Sequence, residues 1–168
     1  MLYPLAAFLI FVLTGTARDI SVRSTNEIIV YNTPGRSTIG IRTGKILNLY
    51  SDTTIAGAEV KRHCSTLGLK LIMNKTLSGC NCIEAGQTRI LITGYRNRGI
   101  FERFSPDIVI LSGAKPEMEF ENDSGFFSDA IVIAAFGIPA GSLGHLKKSS
   151  KSFPVYLVRK SGAFIRRI

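Results

Sequence analysis

Few side chains in this 168-residue sequence have the chemistry to act on a substrate, and they are scattered. The histidines are His63 and His145, and the cysteines are Cys64, Cys80 and Cys82. His63, Cys64, Cys80 and Cys82 make up a zinc set by count alone. Neighbours on a helix, however, point in different directions, so His63 and Cys64 do not converge on one ion. The cysteines read instead as small buried residues at a strand edge. Three cysteines make no disulfide framework, and any bridge from Cys64 leaves an odd thiol. His145 sits beside Lys147 and Lys148, where neighbouring cations disfavour imidazolium and metal alike. Both histidines read as ordinary helix residues. Asp107 has the chemistry of a general base, but a carboxylate that opens a buried strand more often caps a turn. No Ser-His-Asp order or nucleophile elbow is visible. Asn32-Thr33-Pro34-Gly35-Arg36 lacks the glycine density of a phosphate-binding loop.

One stretch has the layout of a metal-presenting strand without its ligands. Pro106 to Met118 reads as a buried strand, opened by Asp107 and closed by Ser112-Gly113. It resembles the strand that ends in Ser-His-x-His/Asp-x-Asp-His in metallo-β-lactamase-type hydrolases. There the side chains hold zinc or a similar cation and lower the pKa of a bound water. Here Gly113 takes the first histidine position, Lys115 the second ligand position, Glu117 the acidic position and Met118 the last histidine position. Glycine offers a metal nothing, and an ammonium repels it. No catalytic, metal-binding or cofactor-binding residue is therefore expected, and no cofactor.

The basic residues are the better candidates. The formal net charge is +9, which favours anionic partners: nucleic acid or phospholipid headgroups. Tyr95, Arg96 and Arg98 share one loop, and Lys147, Lys148 and Lys151 crowd another. Arg159, Lys160, Arg166 and Arg167 lie near the C-terminus. Cations interleaved with an aromatic suit single-stranded DNA, whose phosphates meet the charges while bases stack. Tyr95, Arg96, Arg98, Lys147 and Lys148 are the expected contacts. The competing reading is a solvated basic surface that keeps a small protein soluble.

Residues 1–17 stand apart as a hydrophobic helix. Leu2 to Ala17 carries no charge and is apolar apart from Thr14 and Thr16. Its length is near the lower limit of roughly 17 residues for a membrane span. A signal peptide would be cleaved after Thr14-Gly15-Thr16-Ala17, but the segment lacks the basic start that such signals prefer. A retained anchor, or the last helix of a longer membrane protein, is the expectation, with one domain over residues 18–168. By the positive-inside rule, Arg18 and Arg23 would draw that domain to the cytoplasm.

These residues must be positioned by an α/β arrangement. Strands are expected at Glu27–Tyr31, Thr38–Arg42 and Lys45–Tyr50, joined by Asn32-Thr33-Pro34-Gly35 and Thr43-Gly44 into an antiparallel meander. Ser51-Asp52-Thr53-Thr54 offers N-caps to a helix over Ile55–Cys64, which Gly68 stops. Further strands are expected at Leu69–Met73, Gln87–Gly94, Asp107–Leu111 and Ala130–Phe136, and a short helix at Ser142–Ser149. The unbroken apolar run at Asp107–Leu111 suits a strand covered on both faces. Val155–Val158 and Ala163–Ile165 read as closing strands separated by a hairpin-like turn, Arg159-Lys160-Ser161-Gly162. No internal repeat and no low-complexity tract is present.

Taken in order, these segments resemble the C-terminal domain of ComEC-type competence proteins. The likeness runs through Val30–Ile41, Gly44–Asp52, Pro106–Gly113 and Ser161–Ile165, and a hydrophobic helix before the domain belongs to the same pattern. The resemblance implies a metallo-β-lactamase-like α/β sheet with flanking helices, truncated and degenerate here. It implies the inner (cytoplasmic) membrane, with the soluble domain on the extracytoplasmic side, against the side that Arg18 and Arg23 favour. The family passes single-stranded DNA through a multi-helix channel, and metal-bearing relatives are candidates for degrading the other strand. This sequence has neither the ligands nor the channel helices, so it reads as a fragment or split product. The expected role is a non-catalytic accessory domain that binds single-stranded DNA at the membrane, beside a separate ComEC-type channel protein. The alternatives are a structural interaction domain that never touches DNA, or a hydrolase with an unrecognised site. Salt-dependent DNA binding separates the first alternative, and metal content the second.

Overall fold

The computed structural model describes residues 2–53, 55–74, 77, 80–93, 103–112, 130–135 and 154–168. The chain forms the α/β arrangement expected from its sequence: two mixed sheets with helices, preceded by one apolar helix. That helix, α1, runs Leu2–Ser24. It continues past Ala17 through Arg18, Asp19 and Arg23, because Arg23 and Asp19 pair at i, i+4 along one face (2.7 Å). Within the span Tyr3–Ser24 the most apolar 18 residues have a mean hydropathy of 1.6, and none of that stretch is buried. By length and composition it is suited to cross a membrane.

The meander follows as β1 (Asn26–Tyr31), β2 (Thr38–Thr43) and β3 (Ile46–Ser51). Helix α2 (Ala58–Leu67) crosses over to β4 (Lys70–Asn74), which pairs parallel with β3. The sequence places the start of α2 too early. Ser51 ends β3 and directs its hydroxyl at Asp52 and Thr53, so the N-cap falls to Gly57, with no side-chain cap.

The second sheet contains β5 (Cys80–Ala85), β6 (Thr88–Thr93), β7 (Ile108–Leu111), β8 (Ile131–Ala134) and β9 (Val155–Leu157). Its order is β5-β6-β7-β8-β9, antiparallel only at β5-β6. Among the described residues Asp107 caps no local turn and bonds instead across to the neighbouring strand. Its carboxylate accepts the Arg89 N–H (2.7 Å), and its own N–H bonds the Arg89 carbonyl (2.9 Å), fixing where β7 meets β6.

The end of the chain departs from the expected hairpin. Val158–Ser161 is a single helical turn, α3, and β10 (Phe164–Arg167) does not return beside β9. It crosses to the first sheet, whose order is β10-β1-β2-β3-β4, and pairs antiparallel with β1. Val158, fully buried, is held between the sheets at the crossing.

Strand alternation explains why β1 reads as an unbroken apolar run. Ile28 and Val30 face inward with Ile39, Ile41, Ile90, Ile92, Ile108, Ile110 and Ile133, forming the core between the sheets. Ile29 and Tyr31 face outward with Leu47, Leu49, Val60 and Leu69, beneath α2. All of β7 is buried, as expected for a strand covered on both faces. Cys82 corrects the reading of a buried cysteine: it lies on edge strand β5 but is exposed, pointing away from the core that takes Ile83 and Ala85.

Candidate functional site

The described polar residues converge on a cluster that no local pattern announces, on the outer face of the first sheet where α1 and α2 meet it. Antiparallel register puts Glu27 opposite Arg42 on one side and opposite Arg167 on the other. Arg42 Nη1 donates to Glu27 Oε1 at 2.6 Å, with side chains only 4% and 11% exposed respectively. Arg42 donates twice more to the backbone: Nε to the Gly44 carbonyl (2.9 Å) and Nη2 to the Val22 carbonyl (2.9 Å). Val22 lies in the last turn of α1, where carbonyls have no partner inside the helix. A single guanidinium thus satisfies a buried carboxylate and anchors the end of α1.

His63, on α2, completes the cluster. Tyr31 Oη lies 2.7 Å from His63 Nδ1, and His63 Nε2 lies 3.9 Å from Glu27 Oε1. A carboxylate favours an N–H facing it, so we assign the proton to Nε2 and let Tyr31 donate to Nδ1. Burial raises the Tyr31 phenol far above its usual range, chiefly by desolvation, so it stays a donor. Burial also lowers His63 below its ordinary 6.5; Glu27 pulls the other way and Arg42 adds to the lowering. The folded state therefore prefers neutral imidazole. The stability this gives is complete above about pH 6.5 and is lost as pH falls toward the folded-state pKa. His63→Gln is expected to flatten the loss of stability below pH 6.5 relative to the parent chain, read by urea denaturation at a series of pH values. An unchanged pH slope in the variant rules out this role.

Cys64 packs among the residues beneath α2, and burial raises its thiol pKa, which makes it a poor nucleophile. His63 and Cys64 lie on the first sheet's outer face and Cys82 on the second sheet, so the structure separates that ligand count. Among the described residues no three of His, Cys, Asp or Glu cluster as a metal set. Gly113, Lys115, Glu117 and Met118 lie outside the described residues. Glycine has no donor side chain, lysine is cationic and methionine is a soft thioether, so of the four only Glu117 carries a hard donor.

Tyr95, Arg96, Arg98, Lys147 and Lys148 also lie outside the described residues, as do Lys151, His145 and the helix expected at Ser142–Ser149. The structure describes only the third basic group. Arg159 and Lys160 on α3 and Arg166 and Arg167 on β10 are all exposed. The segment between them is braced. Tyr156 Oη donates to the Ser161 carbonyl (3.0 Å), and the Tyr156 and Phe164 rings meet edge to face with centroids 5.1 Å apart.

A family model described as the ComEC C-terminal domain matches residues 28–168, from β1 to the last residue. No curated protein matches the chain. No solved structure matches it.

Proposed function

The chain belongs to the ComEC C-terminal domain family, which places it among competence proteins of DNA uptake, and from that premise we propose that it is a non-catalytic accessory domain binding single-stranded DNA at the membrane. The observation that carries the DNA reading is the braced basic segment. Arg159 and Lys160 on α3 and Arg166 and Arg167 on β10 are exposed, and the contact of Tyr156 on β9 with Phe164 on β10 braces the backbone that links them. A braced backbone loses less freedom on meeting phosphates than an unbraced one. Tyr95, Arg96, Arg98, Lys147 and Lys148, expected as contacts from the sequence, add cations and an aromatic of the same chemistry. The non-catalytic reading rests on donor chemistry at residues 113–118 and is checked by elemental analysis of untagged protein. One or two tightly held metal ions per chain would overturn it.

The DNA reading is tested by fluorescence anisotropy of a labelled oligonucleotide, with the full chain in nanodiscs, across a salt series. Binding without sequence preference is expected, weakening linearly in log–log form. Each lost phosphate contact should flatten that slope by about 0.7 for a single strand. Lys160→Ala with Arg166→Ala, and separately Arg96→Ala with Arg98→Ala, should each remove about two such steps. No binding at low salt leaves the structural-interaction reading in its place.

A further inference from the structure

The root of α1 carries a groove that none of the roles above uses. It lies between the last turns of α1 and the C-terminal end of α2, has a volume of about 260 Å³, and is lined by Gly15, Arg18, Asp19, Val22, Thr66 and Leu67. Gly15, Val22 and Leu67 give it an apolar wall. Arg18 gives it a fixed cation: Nη2 donates to the Thr66 carbonyl at 3.1 Å, which leaves the rest of the guanidinium fork without a recorded partner among the described residues. Asp19 does not oppose an anion here, because Arg23 and Lys45 both pair with it.

The height of the groove matters as much as its lining. α1 has no charge from Leu2 to Ala17, and Arg18 is the first. Ala17 closes the apolar stretch, so the border between hydrocarbon and headgroups falls near this end of α1. With α1 in a bilayer, Gly15 lies at the edge of the acyl chains and Arg18 among the headgroups. We propose that this groove binds an anionic glycerophospholipid, Arg18 holding the phosphodiester and the Gly15–Leu67 wall lying against the first methylenes. Arginine suits this because its planar fork meets two phosphate oxygens at once. The proposal rests on the membrane reading of α1.

Native mass spectrometry of the full chain, released from detergent micelles doped with phosphatidylglycerol or phosphatidylcholine, tests it. One phosphatidylglycerol per chain is expected to be retained in preference to phosphatidylcholine. Arg18→Gln should lower that retention about fivefold, the effect of one cation at a membrane surface. Lys61→Gln, an equal charge change on α2 outside the groove, should not. If Arg18→Gln loses its fold by circular dichroism, Leu67→Trp, which fills the groove without changing charge, takes its place. Equal retention of the two lipids, an equal loss in Lys61→Gln, or no loss in the groove variant overturns the proposal. Displacement of the lipid by millimolar inorganic phosphate reassigns the groove to a phosphate from solution. A chain that fails to enter micelles overturns the membrane reading of α1 itself, which is a different failure.

Discussion

Arg42→Ala is expected to destabilise the domain by about 3–5 kcal/mol, because it strands a buried carboxylate. Glu27 keeps its position opposite position 42 in the sheet and loses its nearest counter-charge. The Gly44 and Val22 carbonyls lose their donors in the same step. Chemical denaturation of the full chain in micelles reads the effect. Arg23→Ala is the comparison, because its pair with Asp19 is exposed and screened by solvent, so its loss should be small. Glu27→Leu combined with Arg42→Met should recover much of the loss, since a buried pair replaced by apolar groups is often near neutral. Recovery should fall short of complete, because the two carbonyls remain without donors. If Arg42→Ala costs no more than Arg23→Ala, this cluster does not fasten α1 to the sheet.

Gly44→Ala is the second large effect, expected at roughly 2–4 kcal/mol from two separable causes. Gly44 sits at φ +58°, the left-handed region where a Cβ is strained. A Cβ there would also lie 2.8 Å from the Arg23 carbonyl oxygen, a backbone atom at the end of α1. The Gly44 N–H bonds the Thr25 carbonyl (3.0 Å), so any shift that relieves the clash strains that bond too. Gly35→Ala separates the causes. Gly35 has φ +69° with open space around the site, so it should cost only about 1–2 kcal/mol. Equal losses at the two positions would mean that the close approach of α1 to the β2–β3 turn contributes nothing.

Much of the fold was legible because burial writes itself into strands. The continuous run at Ile108–Leu111 states that both faces are covered, whereas the alternation in Thr38–Thr43 states one face and the structure buries both, Arg42 included. The crossing of β10 was not legible. Arg159-Lys160-Ser161-Gly162 has the composition of a turn, and local sequence holds no record of which sheet the next strand joins. β5 was not legible because Cys-Asn-Cys has no apolar alternation and the strand signal rests on Ile83 and Ala85 alone. The buried cluster was hidden for a different reason. Glu27, Tyr31, Arg42 and His63 come together only through sheet register and the packing of α2, so no spacing between them is periodic. His63, read from sequence as an ordinary helix residue, is a structural partner of Tyr31 and Glu27. The DNA-contact residues proposed from sequence at 95–98 and 147–148 remain a reading of composition, which charge alone supports.

The pairing of β10 with β1 also sets an order of events in the making of the protein. β1 leaves the ribosome soon after α1, yet its hydrogen-bonding edge on one side is completed only by Phe164–Arg167, with Ile168 donating back to the Asn26 carbonyl (3.0 Å). Loop closure over nearly the whole chain is a late and slow contact. The β1–β2–β3 meander is local and can assemble first, held against the end of α1. Until the last strand arrives, β1 is an open edge of the kind that recruits foreign strands. For a nascent chain with α1 already in the bilayer, the interval between β1 and β10 is therefore the period of greatest exposure to misassembly.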